Sequence, residues 1–203
     1  MRLILVRHGE TRWNQENRVV GHTGIALNKN GRKQVARLAL ALKYEKVSAI
    51  YSSPLRRARE TAAAIARGHR LAVVTDDALK EVDAGELEGL TFEEVMERYG
   101  DFLQEWMKDN PSLKMPGGES MAELQERTWP AAERIVREHT DGVVILVSHS
   151  LAILSIISRA LGMRPSNFRR LRLSVASISI LDFRERGASL VLFNDTCHLE
   201  SGG

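Results

Sequence analysis

The residues Leu3-Ile4-Leu5-Val6 constrain this chain most, because the apolar run stops abruptly at Arg7-His8-Gly9-Glu10-Thr11. Four consecutive large apolar residues read as a strand buried on both faces, as in a parallel sheet. Such a strand delivers Arg7 and His8 at its carboxyl end, where open α/β sheets bind ligands. The pattern recurs twice. Ala49-Ile50-Tyr51 runs into Ser52-Ser53-Pro54-Leu55-Arg56-Arg57, and Val143-Val144-Ile145-Leu146-Val147 runs into Ser148-His149-Ser150. Three strands with polar or basic ends predict one pocket at one sheet edge, collecting two His and two or three Arg.

The remaining segments fill in an alternating α/β order. Asn28 is a candidate N-cap for a helix through about Tyr44, with Val35, Leu38, Ala39 and Leu42 on one face. Ser53-Pro54 is expected to open the next helix, Ser53 as N-cap and Pro54 in the first turn. Leu71 to Val74 reads as a third strand. Residues 83–120 are broken by Gly85, Gly89, Gly100, Gly117 and Gly118 into short amphipathic pieces, 92–99 and 101–108. They read as an excursion folding over the sheet edge. A long helix to about His139 contains Pro130, which is expected to kink or split it. Strand 143–147, helix 151–161 and strands 173–183 and 188–194 follow, the last two joined at Glu185-Arg186-Gly187. With no linker or repeat, residues 1–203 are expected to form a single domain.

Charge and cysteine content narrow the partners. The 29 basic and 26 acidic residues are interspersed, so a small anionic substrate is expected and nucleic acid is not. No apolar run reaches the roughly 18–20 residues of a membrane span. The N-terminus lacks the pattern of a leader, and Cys197 is the single cysteine, so a cytoplasmic protein is expected. The six His show no HExxH or other short ligand spacing and no Cys pair assists them, so neither metal nor cofactor is expected.

The strand ends suggest chemistry. Arg7 can grip phosphate or carboxylate bidentately, and Gly9 lets the backbone approach a bound group. An unprotonated His8 beside that fork could attack phosphorus, although a lone His at a strand end can also be a structural residue. His149 would add a donor on the far side of the anion, or else merely cap the helix that follows. Of Arg56 and Arg57 only one can face inward. Arg57, beside the buried-side Ala58, is the choice, leaving Arg56 in solvent.

Leu5-Val6-Arg7-His8-Gly9-Glu10-Thr11 with Asn14, Ser52-Ser53-Pro54-Leu55-Arg56-Arg57-Ala58, Leu79-Lys80-Glu81, Gly117-Gly118-Glu119-Ser120 and Val147-Ser148-His149 resemble the histidine phosphatase (phosphoglycerate mutase-like) superfamily. The resemblance implies an α/β three-layer sandwich, its mostly parallel sheet covered by helices on both faces, and a metal-free phosphohistidine mechanism. It implies that His8 is the nucleophile, that Arg7, Arg57 and His149 bind phosphate, and that Glu81 is the proton donor. Asn14 matches a further phosphate or substrate contact, and Gly21, His22 and Ser150 are further candidate substrate contacts.

Departures point to a phosphatase. Val82 follows Glu81 where the cofactor-dependent mutases carry a basic residue, and 92–120 offers only Arg98, Lys108 and Lys114. The tail Asn194-Asp195-Thr196-Cys197-His198-Leu199 resembles that of α-ribazole phosphatases and metal-independent phosphoserine phosphatases. The latter carry a His three residues after the acid, where this chain has Ala84. The expectation is a metal-independent phosphomonoesterase acting on a small phosphorylated metabolite. A phosphoglycerate mutase and a non-catalytic phospholigand-binding protein are the alternatives. The tail either frays or folds over the pocket so that His198 meets the leaving group. The natural substrate and the oligomeric state, a homodimer among the options, stay open.

Overall fold

The computed structural model describes residues 1–108 and 110–200. Among them β1 (Arg2–Arg7), β2 (Val47–Ser52), β3 (Val73–Thr75), β4 (Val143–Ser148), β5 (Ile178–Arg184) and β6 (Gly187–Asp195) form one sheet, ordered β3-β2-β4-β1-β5-β6. The first four strands in that order are parallel, while β5 and β6 are added antiparallel. The sheet is therefore mixed, with a parallel half that carries the strand ends singled out above.

Helices cover both faces. On one side α2 (Lys29–Ala41) and α3 (Arg56–His69) pack Leu38, Ala58, Ala62 and Ile65 against Ile4, Val6, Ile50, Ile145 and Val147. On the other, α6 (Met121–Glu138) and α7 (Ser150–Ala160) pack Leu124, Ala132, Ile135, Ile153 and Ile156 against Leu3, Leu5, Val144 and Leu146. Successive strand side chains point to opposite faces, and both faces are covered, which is why β1 and β4 read as unbroken apolar runs. The short helices α1 (Arg12–Gln15), α4 (Phe92–Arg98), α5 (Gly100–Trp106) and α8 (Cys197–Glu200) lie in the connections and the tail.

Three local expectations need correction. Helix α3 starts at Arg56 with Leu55 as N-cap, because the Ser53 hydroxyl is two residues further out and accepts the Leu55 N–H instead. Helix α6 runs unbroken through Pro130, held by the buried stripe on both sides of the proline. Strand β5 begins only at Ile178. Residues 173–177 form a loop because Ala176 takes a left-handed conformation (φ 54°) and gives its N–H to the His8 carbonyl. Gly9 is required by packing before any ligand is considered: a Cβ there would lie 2.8 Å from the Gly31 carbonyl oxygen and 2.7 Å from Val35 Cγ2.

Register sets the site. Arg7 pairs with Ser148 across β1 and β4, and Ser52 with Val147 across β2 and β4, so three strands end at one level. The chain passes from β1 to β2 and β3, then returns to insert β4 between β2 and β1. That reversal opens the crevice beyond the strand ends.

Candidate active site

Backbone hydrogen bonds continue the sheet just past its edge. The His8 N–H reaches the Ser148 carbonyl at 3.1 Å and the Ser53 N–H reaches the Val147 carbonyl at 3.0 Å. His8, Arg57 and His149 are thereby held side by side and buried, with the two imidazole centroids 5.1 Å apart.

The hydrogen bonds assign the His8 tautomer. Its Nδ1 lies 2.8 Å from the Gly9 carbonyl and must donate to it, while Arg57 Nε donates to His8 Nε2 at 3.1 Å. Nε2 therefore carries a lone pair. Burial, then the charges of Arg57 and Arg7, hold the imidazole pKa well below its ordinary value, against a smaller opposing effect of the Gly9 carbonyl. Neutral His8 presents an unprotonated nitrogen at neutral pH.

Two guanidinium groups flank it. Arg57 is anchored by the Gly21 and Thr23 carbonyls, at 2.8 and 3.0 Å. Burial lowers its pKa to about 10, partly offset by Glu81 and Glu88, so it stays cationic. Arg7 donates to the Leu173 carbonyl, and its Nε is buried without a protein partner. His149 Nδ1 is also a buried nitrogen without a partner, while Nε2 lies 2.7 Å from the Ser53 hydroxyl. Ser53 Oγ already accepts from the Leu55 N–H. Burial first, then Arg57, His8 and Arg7, depresses the His149 pKa strongly. Unpartnered buried donors beside two cations are what an anion would complete. By contrast, Arg56 is exposed and paired with Glu60.

Glu81 is buried at the N-terminus of α7. Its Oε1 accepts the Val82 and Ala152 N–H groups at 3.0 and 3.1 Å, and Oε2 accepts the Leu151 N–H at 3.1 Å. A carboxylate has about four lone-pair sites, two per oxygen. Oε1 is full, and Oε2 keeps one site for a proton or a ligand.

Arg127 and Glu119, which sequence reasoning missed, lock the loop that carries Glu81. Arg127 donates to the carbonyls of Ala78, Lys80 and Glu81 and forks onto Glu119 at 2.7 and 2.8 Å. Glu119 in turn accepts the Asp83 N–H. The sequence signal is faint: a helical arginine eight residues after Glu119 looks like any solvated charge. Ser53 reads in sequence only as a cap.

The other candidates take varied positions. Asn14 lines the cavity next to Arg7, with Oδ1 held by the Thr11 N–H and hydroxyl. Gly21 supports Arg57 through its carbonyl, and His22 Nε2 donates to the Glu81 carbonyl at 2.8 Å. Ser150 is the first residue of α7. His198 Nε2 donates to the Ala176 carbonyl at 3.0 Å, its Nδ1 is buried without a protein partner, and α8 packs against α2 through Leu199. No residue of 194–199 lines the cavity beside Arg7, and the tail is helical at its end instead of frayed. Among the described residues, no three His, Cys, Asp or Glu side chains are grouped to hold a metal ion.

Fold and site define an α/β protein with an anion pocket built around an uncharged histidine at a topological switch point. The chain belongs to the histidine phosphatase superfamily (branch 1), whose family model matches residues 3–196. It is 35% identical over 199 residues to phosphoserine phosphatase 1 of Hydrogenobacter thermophilus, covering 98% of this chain and 94% of that protein. Among solved structures it resembles a mutant phosphoserine phosphatase of Entamoeba histolytica in complex with phosphoserine (TM-score 0.89, 31% identity, 98% of each chain). It also resembles the α-ribazole phosphatase of Shigella flexneri (TM-score 0.88, 25% identity, 97% of each chain).

Proposed function

We propose that this chain is a metal-independent phosphatase that hydrolyses a small phosphate monoester through phosphorylated His8. The observation that carries the reading is the buried, neutral His8 with Nδ1 fixed by Gly9 and Nε2 held by Arg57. When the phosphoryl group binds, Arg57 Nε–H passes from His8 Nε2 to a phosphate oxygen, releasing the lone pair. Nε2 attacks phosphorus, the ester P–O bond breaks, and the alcohol oxygen takes a proton from Glu81 Oε2. Water then gives a proton back to Glu81 and attacks phosphorus, the P–N bond breaks, and His8 and inorganic phosphate are free.

Stabilising charge on the transferring group is the larger part of such catalysis. Arg7 and Arg57 supply two cations. Ser53, with its oxygen accepting from Leu55, is free to give its proton to His149 Nε2, which puts the other proton on Nδ1 as a neutral donor to phosphate. Asn14 and the 21–23 loop complete the surroundings.

A mutase would need cations for a second phosphate. Lys108 and Lys114 are instead paired with Glu105 and Glu123, and the residue after Glu81 is the buried Val82. Incubation with 3-phosphoglycerate separates the readings: inorganic phosphate supports the phosphatase, and 2-phosphoglycerate overturns it. Absence of any turnover of p-nitrophenyl phosphate between about pH 4 and 9 would revive the alternative of a non-catalytic binding protein. No helix among the described residues is long and apolar enough to cross a membrane. A cytoplasmic, single-domain protein is part of the proposal, supported by the lone Cys197 and by one family match running from residue 3 to 196.

A further inference from the structure

We infer that the alcohol released by this site is apolar, aromatic or branched, and carries no second anionic group; the inference rests on the reading of His8 and Glu81 given above. A cavity of about 750 Å³ has both Arg7 and Leu151 in its lining. Arg7 belongs to the anion pocket, and the Leu151 N–H holds Glu81 Oε2, the oxygen with a free site. A leaving oxygen placed between phosphorus and Glu81 therefore opens into this cavity.

The wall beyond is built from Phe92, Phe102, Trp106, Phe168, Met107 and Met115. The Trp106 ring lies 5.6 Å from Phe102 and 5.8 Å from Phe168 between centroids, so three rings make one continuous face. The apolar surface continues outward, with Phe92 59% and Met107 70% exposed. Large apolar side chains left open beside a reactive site are suited to covering a ligand.

Apart from Arg7, which the phosphate itself would take, the charged groups in the lining are already engaged. Arg18 is bonded to Glu16, Glu94 and the Gly89 carbonyl, and Glu10 accepts from the Asn28 amide. A leaving group bearing carboxylate and ammonium would lose water here without gaining a matched partner. A ring or branched chain of similar size gains by burial instead. Asn14 and Asn17, also in the lining, suit a hydroxyl or ether on an otherwise apolar alcohol.

The test compares 2-phenylethyl phosphate with O-phospho-L-serine and 3-phosphoglycerate on the intact protein, reading kcat/KM and labelled phosphate on His8. Phenylethyl and seryl esters share a primary alkyl leaving oxygen, so the comparison isolates the variable part. The phenylethyl ester should be favoured over both by at least about 30-fold, the scale of burying one aromatic ring. Trp106→Ala should remove most of that preference. Phe92→Lys, at an exposed position that the fold tolerates, should raise KM for the phenylethyl ester about fivefold or more while sparing that for 3-phosphoglycerate. Equal kcat/KM values, or a preference for phosphoserine, with His8 labelled in each case, would overturn this inference alone. No label on His8 from any ester would overturn the reading of the site, and the inference with it.

Discussion

Arg57 Nε donates to His8 Nε2 at 3.1 Å, so a buried cation covers the lone pair of a neutral imidazole. In the mechanism proposed above, binding and activation are therefore one event, since the guanidinium cannot serve both the imidazole and a phosphate with the same N–H.

This contact makes the two neighbouring arginines unequal. Arg57→Ala should lower kcat by about 10²–10³-fold, the range for losing one transition-state donor, and Arg7→Ala by a similar amount. Arg56→Ala should change kcat less than about twofold, since its exposed pair with Glu60 contributes little. Steady-state kinetics on the three variants decide it, and equal losses at Arg56 and Arg57 would contradict the placement. His8→Ala should abolish acid-labile, base-stable phosphoenzyme altogether.

Phosphatase activity should survive exhaustive treatment with EDTA, with no stoichiometric metal by elemental analysis. Chelator-sensitive activity restored by Mg²⁺ or Zn²⁺ would show that charge stabilisation does not come from Arg7, Arg57 and His149 alone.

Stability should fall on mild acidification. His8 and His149 are held uncharged, with pKa well below the ordinary 6.5, whereas the unfolded chain takes up both protons near that value. Below about pH 6.5 the unfolded state therefore binds more protons, and each histidine costs about 1.4 kcal/mol per pH unit until its native pKa is reached. Denaturant melts between pH 7.5 and 5 measure the slope. His8→Gln should remove about half of this contribution, and an unchanged slope would mean that His8 is protonated in the native state.

Arg127 acts on Glu81 only through the loop. Arg127→Ala should lower kcat about tenfold or more with little change in KM, because it frees three carbonyls and the half of Glu119 that fastens Asp83. It should also destabilise the fold by about 2–4 kcal/mol, the range for stripping one partner from a largely buried pair. Rapid-quench kinetics distinguish positioning from mere unfolding: because Glu81 is acid in the first step and base in the second, folded Arg127→Ala should slow both for an alkyl ester, while phosphorylation of His8 by p-nitrophenyl phosphate, whose leaving group needs little protonation, should be largely spared. Equal slowing of His8 phosphorylation by both esters would assign Arg127 a structural role alone.

His198→Ala should cost about 1 kcal/mol through the lost bond to the Ala176 carbonyl and leave the ranking of substrates unchanged. A selective loss of kcat/KM for one ester would return His198 to the substrate side.

Much of the framework was legible because strands and helices announce themselves locally. Leu3 to Val6 and Val143 to Val147 are apolar at every position since both sheet faces are covered, and Val35, Leu38 and Leu42 repeat at helical spacing. Arg57 could be separated from Arg56 by its neighbour Ala58, a matter of helix geometry. The loop at 173–177 was not legible: Ser174, Ala176 and Ser177 give no sign that the backbone leaves the strand to cup His8 and Arg7. Nor was the Glu81 carboxylate readable as a ligand of the α7 N-terminus, or Arg127 as its support.

The sequence by itself determined which elements form, and that Arg7, His8, Arg57 and His149 sit at strand ends or in the helix turn that follows, because propensity and periodicity act over a few residues. Only the tertiary structure decided the tautomer of His8, the one free oxygen of Glu81 and the apolar cavity that Arg7 shares with Trp106. Each of those depends on hydrogen bonds and surfaces brought together from distant segments, where no local pattern records the partner.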